Sequence, residues 1–347
     1  MGVKNIAGLE HVAPRSAGGA IDTGWYVLGG LPVQSNVPLP LPRLYPSDGT
    51  VPSWVIRYGA GQPRPMPGIP EEVLDSLWRG PAGSDRDQEG LLAGQYPDGL
   101  WFWYRAGHSF RIAPDARLIE VFPAPGADVR FIGQTLCGPI AGVVLNVLGH
   151  ATLHGSAVVT PHGAVGFLGP SGQGKSTMAA SFVRRGAALL ADDMLVLETH
   201  QNTVYGRPSE SFIKLWEPGA THALGPAHGG RSIPRTDDKK VVWLDGAYAL
   251  AREPAPLRAL YVLDRQATSA KATVDVTSLT LAGRERIAAI LIHVAQSSYL
   301  ATPAMARLLP TLTRLVSQAA VRVLRYPDGE EMQERVYAHV LAELVGS

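Results

Sequence analysis

Apolar and polar positions along the chain fall into three regimes. Up to about residue 90 no period is sustained. Pro and Gly crowd Gly29 to Pro70, most densely at Leu39-Pro40-Leu41-Pro42 and from Pro63 to Pro67. Proline at this density breaks helices and central strands, so Trp54–Tyr58 is the one strand expected there. A short helix is predicted over Pro70–Trp78, with proline in its first turn, followed by a charged loop from Gly83 to Gly90. From Leu100 to Phe131 the pattern turns to strands. Leu100–Tyr104, Ser109–Ile112 and Leu118–Phe122 are separated by Ala106-Gly107-His108 and Ala113-Pro114-Asp115, the spacing of a meander or hairpin series. Trp101, Trp103 and Tyr104 are expected to share a small satellite core, with a stacking platform for nucleobases as the functional alternative.

The third regime begins at Gly133. Gly133 to Gly149 is apolar nearly throughout and predicts a buried helix. Leu153–Val159 and Val165–Leu168 then read as a hairpin, Met194–Leu197, Val241–Leu244 and Leu260–Asp264 as further strands, and Val321–Tyr326 as a late one. Helical periods run over 283–296, 303–319 and 329–345. Pro218 to Arg235 is a glycine-rich excursion of a length suited to a lid or peptide-binding loop. The pattern as a whole predicts an α/β fold: a β-rich N-terminal module over residues 1–132 and a P-loop nucleotide-binding domain over 133–347.

That domain assignment rests on chemistry placed between two elements. Gly169-Pro170-Ser171-Gly172-Gln173-Gly174-Lys175-Ser176 fits the phosphate-loop pattern G-x-x-x-x-G-K-[ST] without a mismatch. An apolar strand, Gly163–Leu168, precedes it, and a helical period from Ser176 to Arg185 follows, ending at Gly186 as a glycine C-cap does. Amide N–H groups of such a loop converge at a helix N-terminus, where the dipole favours anions. Gly169, Ser171, Gly172, Gln173, Gly174, Lys175, Ser176 and Thr177 are therefore the expected ATP contacts. Lys175 is expected to neutralise the β- and γ-oxygens, and the Ser176 hydroxyl to ligate Mg²⁺. The loop alone does not say where the γ-phosphoryl group goes.

Composition narrows the choice. A net charge of +1 argues against a broad nucleic-acid or membrane footprint. The single cysteine, Cys137, excludes an intrachain disulfide and a multi-cysteine metal site. No run reaches about 18 apolar residues, and the first ten residues lack a signal peptide's apolar core. A cytoplasmic enzyme is the expectation.

Four landmarks point to a family. Leu153-His154-Gly155-Ser156-Ala157-Val158, the loop Gly166–Ser176, Arg184-Arg185-Gly186 and Leu190-Ala191-Asp192-Asp193 together resemble the core of HPr serine kinase/phosphorylase, in the same order and register. The likeness is close over about residues 150–200. Two departures mark the chain off from the bifunctional HPr enzymes. Thr177 stands where those have Glu, and their glycine-rich signature after the acidic pair is replaced by Tyr205–Trp216. The Gly-Lys-Ser-Thr loop and an Arg-Pro…Leu-Trp segment look more like the HPr-kinase-like enzymes of lasso-peptide biosynthesis. Those phosphorylate the C-terminal Ser of a ribosomally made precursor.

The resemblance implies a homo-oligomeric peptide serine kinase using ATP and Mg²⁺. It makes Asp192 the base, Asp193 a support for Mg²⁺ or the phosphate network, and His154 a residue at the reaction centre. The residue chemistry agrees, because a serine hydroxyl is a poor nucleophile and needs a carboxylate to take its proton. Among basic residues Arg207, Lys214 and Lys239 are the foremost candidates to hold transferred phosphate or a peptide carboxylate, ahead of Arg231, Arg235 and Lys240. His222, His228 and His293 have no metal-ligand spacing and are read as structural. Three alternatives stay open: an HPr-type regulator of carbon metabolism, a nucleotide-dependent ATPase switch, and a small-molecule kinase.

Overall fold

The computed structural model describes residues 23–67, 91–104, 108–209, 212–216, 223–224, 232–234, 239–244, 248–266, 275–329 and 331–346. The predicted helix Pro70–Trp78, the charged loop Gly83–Gly90 and most of the Pro218–Arg235 excursion, with Arg231, Arg235, His222 and His228, lie outside the described residues.

The first sheet contains β1 (Gly24–Leu28), β2 (Leu31–Ser35), β3 (Trp54–Tyr58), β4 (Leu91–Tyr96), β5 (Gly99–Tyr104), β6 (Ser109–Ile112) and β7 (Leu118–Phe122), in the order β1-β2-β3-β7-β6-β5-β4. The predicted meander is present, antiparallel from β4 to β7. The proline-rich region, in contrast, holds two strands beyond the expected one. Leu28 and Leu31 close a hairpin around Gly29 and Gly30, whose φ values of +58° and +73° suit a primed two-residue turn. Pro32 costs the sheet no ladder bond, because pairing with β3 begins only at Val33.

The period of two along β5 divides its aromatics. Phe102 and Tyr104 enter the main core of this sheet with Phe110, Ile119 and Val121. Trp101 and Trp103 face the other way and pack with Phe122. Tyr104 is thus no part of the predicted satellite core. Both indoles are only 4% exposed, with their N–H groups donated to Asp98 and to the Arg64 carbonyl, so neither presents a face for stacking bases.

Two short helices cross this core. α1 (Val129–Thr135) starts four residues ahead of the predicted Gly133, where the Asp128 carboxylate caps the Arg130 N–H at 2.9 Å. A π-turn, Leu136–Ile140, leads into α2 (Ala141–Val147). Pro139 lies inside it and cannot donate an intrahelical bond, and Gly138 leaves helical geometry at φ −110°, ψ −106°, so the rod kinks there. Buried side chains of both helices share one cluster with the first sheet and with Met194 and Val196.

The second sheet follows. Its elements are β8 (Thr152–Thr160), β9 (Gly163–Leu168), α3 (Lys175–Arg184), β10 (Ala188–Ala191), β11 (Met194–His200) and β12 (Thr203–Gly206). A small separate sheet of β13 (Phe212–Trp216), β14 (Ser232–Pro234) and β15 (Lys239–Trp243) intervenes. The chain then returns through β16 (Ala255–Gln266), β17 (Thr277–Thr280), α4 (Gly283–Leu291), α5 (Thr302–Gln318), β18 (Ala320–Pro327) and α6 (Glu331–Val345). β8 and β9 form the predicted hairpin, and β9 runs parallel to β16, itself parallel to β18. β9 is buried on both faces, which is why it reads as an unbroken apolar run. Val165 and Phe167 pack with α3 and α6, while Ala164 and Leu168 pack with α4 and α5.

One helix is shorter than its period suggests. α4 ends at Leu291, not at 296, because the next residues serve as strand. Pairing of β9 with β8 stops at Gly155, which leaves the Thr152–His154 edge open. His154 N–H donates to the His293 carbonyl at 2.7 Å and Ala295 N–H to the Thr152 carbonyl at 2.8 Å, covering that edge. Buried Asn146 locks the junction, donating to the Ala295 carbonyl and accepting from Thr152 N–H. No helix among the described residues is long and apolar enough to cross a membrane.

Candidate active site

The glycine loop occupies the gap between β9 and α3. Gly169, Gly172 and Gly174 have φ of +147°, +85° and +88°, so three left-handed bends fold the segment back on itself. At Gly174 a Cβ atom would also meet the Tyr326 hydroxyl at 3.1 Å. Tyr326 Oη donates to the Gln173 carbonyl at 2.9 Å, and the Gln173 side-chain oxygen accepts from Arg265 N–H at 3.1 Å. The ends of β16 and β18 thereby pin the loop. Ser171 and Gly172 form its exposed tip, and Ser176 and Thr177 start the helix half-buried. Lys175 is buried at 7% exposure, its ammonium donating to the carbonyls of Gly169 at 2.8 Å and Pro170 at 3.1 Å.

The acidic pair faces this loop from the turn between β10 and β11. Asp192 is fully buried and accepts three hydrogen bonds, from Ser156 Oγ at 2.7 Å, from Lys214 N–H at 2.8 Å and from the Ser176 hydroxyl. Burial first, and the neighbouring Asp193 charge second, push its carboxyl above the ordinary carboxylate range; the three hydrogen bonds oppose that without reversing it. Asp193 has φ +68°, a left-handed conformation that aspartate tolerates, and the bend separates the two carboxylates. Asp192 points to the loop, whereas Asp193 makes an ion pair with the Lys214 ammonium. The carboxylate that touches Ser176 is therefore that of Asp192.

Histidines close the site. His154 Nδ1 lies 3.1 Å from the Asp193 carbonyl oxygen, which makes Nδ1–H the donor. Its burial keeps the imidazole neutral, holding the pKa below the ordinary histidine value despite the Asp193 charge. His293, read from sequence as structural, comes beside both: it is 7% exposed and lies within electrostatic reach of Lys175 and His154. Only the pairing of residues 293–295 with β8 brings it there, and no local motif announces that. Burial chiefly, then the Lys175 charge and the neighbouring His154, hold its pKa down to about 4.

A consequence can be measured. A histidine whose pKa is depressed on folding binds fewer protons in the native state than in the unfolded one, so stability rises with pH between the two values. For His293 the window runs from about 4 to its ordinary 6.5. Acidification across it is expected to cost on the order of 2–3 kcal/mol, at ~1.4 kcal/mol per unit. Urea titrations of wild type and His293→Gln at a series of pH values test this; an equally steep acid limb in the variant would refute the assignment.

The remaining candidates divide. Lys214 joins the site through both its backbone and its ammonium. Arg207 does not reach the loop: its guanidinium pairs with Glu198 and its methylenes lie against Gly30. Lys239 opens β15 opposite Trp216. Beside the acidic pair a cavity of about 90 Å³ opens, bounded by Asp193 and Lys214 on one side and by Tyr104, Phe131, Gln134 and Gly138 on the other.

No protein-family model matches the chain, and no curated protein matches it. Among solved structures it is similar to the Hpr(Ser) kinase/phosphatase from Coxiella burnetii, at 14% identity and a TM-score of 0.29, over 55% of this chain and 97% of that one. At that score no inference rests on the likeness.

Proposed function

We propose that the chain is an ATP-dependent kinase that phosphorylates a hydroxyl group, its acceptor being the C-terminal serine of a peptide. One observation carries the reading: a fully buried carboxylate, Asp192, hydrogen-bonds the Ser176 hydroxyl at the end of a glycine loop while burial raises its proton affinity. This supports reading Asp192 as the base for a hydroxyl brought to the terminal phosphate. The peptide acceptor is supported by the Gly174-Lys175-Ser176-Thr177 loop and the Arg207-Pro208…Leu215-Trp216 segment, which resemble kinases of that kind.

Mg²⁺ fits these residues. Among the described residues no three His, Cys, Asp or Glu side chains gather as a cage. Mg²⁺ seldom uses one; it takes one or two carboxylates and completes its shell with phosphate oxygens and water. Ser176 and Asp192 offer a hydroxyl and a carboxylate in contact at the loop, as such a shared shell requires, with Asp193 next to them in sequence and paired with Lys214. When bound, the ion neutralises charge on the phosphate oxygens. Lys175 holds those oxygens from the loop side. Asp192 accepts the proton of the acceptor hydroxyl as its oxygen bonds to the γ-phosphorus, and the bond from that phosphorus to the bridging oxygen breaks to release ADP. Neutral His154 fixes the turn that carries both carboxylates, through the Asp193 carbonyl.

The test is mass spectrometry of a short Ser-terminated peptide incubated with the protein, ATP and Mg²⁺. The expected result is one phosphate on the terminal Ser. ATP consumption without phosphate on any hydroxyl would favour the ATPase switch, and phosphate on an internal serine of a folded phosphocarrier would favour the HPr-type regulator.

A further inference from the structure

We infer that the cavity between the first sheet and the acidic pair seats the hydroxyl-bearing end group of the acceptor, and that the kinked helix after β7 sets which end groups enter. The inference rests on the kinase reading above and adds the subsite that the reading lacks.

Position is the first argument. Asp193 and Lys214 form one wall of the cavity. The Lys214 backbone N–H also binds the Asp192 carboxylate, which touches Ser176 of the loop. One residue thus links the cavity wall to the base, and the base to the phosphate side. A group seated here meets the acidic pair at Asp193, whereas the loop meets it at Asp192, and transfer needs two substrates converging on one such site.

Size and shape are the second. An engineered cavity of about 150 Å³ accommodates benzene. This one, at about 90 Å³, is smaller and suits a small end group better than an aromatic side chain. Its volume is kept open by the kink. Gly138 lines the cavity, and a Cβ atom built on it meets no atom within 4 Å. α1 contributes Phe131 and Gln134, and the end of β5 contributes Tyr104. The occupant therefore has a small aliphatic body against two rings, with polar atoms within reach of an amide and an ammonium. A terminal serine, with its hydroxymethyl and carboxylate, is such a group.

Two variants fill the space from different positions, Gly138→Val and Gln134→Phe. Transfer is measured to a Ser-terminated peptide and to the same peptide extended by one Phe, and nucleotide affinity with a fluorescent ATP analogue. Wild type is expected to prefer the Ser-terminated peptide by about tenfold or more. Each variant that melts cooperatively is expected to raise the acceptor KM by about tenfold, or to lose transfer, while nucleotide affinity stays within about twofold. An unchanged acceptor KM in a folded variant overturns the subsite, even though the kinase reading stands. Equal use of both peptides by wild type overturns it as well. Failure of wild type to phosphorylate any hydroxyl overturns the kinase reading, and the subsite falls with it.

Discussion

Lys175→Ala is expected to lower nucleotide affinity by about 10²-fold or more and to bring phosphoryl transfer below detection. The ammonium is buried at the start of α3 and is held by two loop carbonyls, so it is aimed into the loop before any ligand arrives. Charge-assisted hydrogen bonds are worth about 1.5–3 kcal/mol each, and two of them to phosphate oxygens account for a loss of that size. The same truncation leaves the Gly169 and Pro170 carbonyls without their donor, so a parallel loss of fold is the competing explanation. Lys175→Met keeps the aliphatic stem while removing the charge and its donors, so the fold is better preserved and the melts separate a lost phosphate contact from a lost fold. Isothermal titration with ATP and Mg²⁺, alongside thermal melts, reads both. Wild-type affinity in a folded Lys175→Met variant would show that the loop is not a phosphate site.

The loop was legible because it is local. Glycines at left-handed bends, a lysine at the helix start and an apolar strand ahead of it are adjacent in the chain, and the structure keeps them adjacent. The β1–β2 hairpin was equally local, written as Gly29-Gly30 between apolar residues, yet the surrounding prolines masked it. Proline counts mislead where the ring takes a ladder position that needs no N–H, as Pro32 does opposite Val27. Other parts of the site were not readable from any window. His293 arrives by covering an edge that β9 leaves open, and the cavity wall by helices that pack with the first sheet; Lys214 was a candidate from sequence, but its contact with both aspartates depends on a strand of a separate small sheet. Arg207 shows the converse, since a persuasive local landmark turns out to be paired with Glu198.

Asp192→Asn is expected to bind nucleotide within about twofold of wild type and to lose transfer by about 10²–10⁴-fold, the usual contribution of a positioned base. Asparagine has the same shape. Its oxygen can still accept from Lys214 N–H, and its amide can donate to Ser156 Oγ once that hydroxyl rotates. What disappears is the proton acceptor, so the acidic limb of kcat/KM that the Asp192 carboxyl governs should vanish from the residual activity. Stability supplies an independent readout, because Asp192 carries a raised pKa in the fold. A raised folded pKa means that the native state binds protons more readily than the unfolded chain. Its contribution to stability is full below the ordinary carboxylate value and is lost as pH rises through the folded one. At neutral pH the fold therefore carries the cost of burying a carboxyl that is freely ionised in the unfolded chain, a cost that the neutral amide removes. Asp192→Asn should melt above wild type at pH 7.5, and that advantage should fade below pH ~4, where the unfolded carboxyl also holds its proton. Slower transfer in a protein that has become more stable is the signature of a residue kept for chemistry at the expense of the fold. Unchanged turnover in this variant would remove Asp192 from the reaction, and a lower melting point at pH 7.5 would show its carboxylate to be structural.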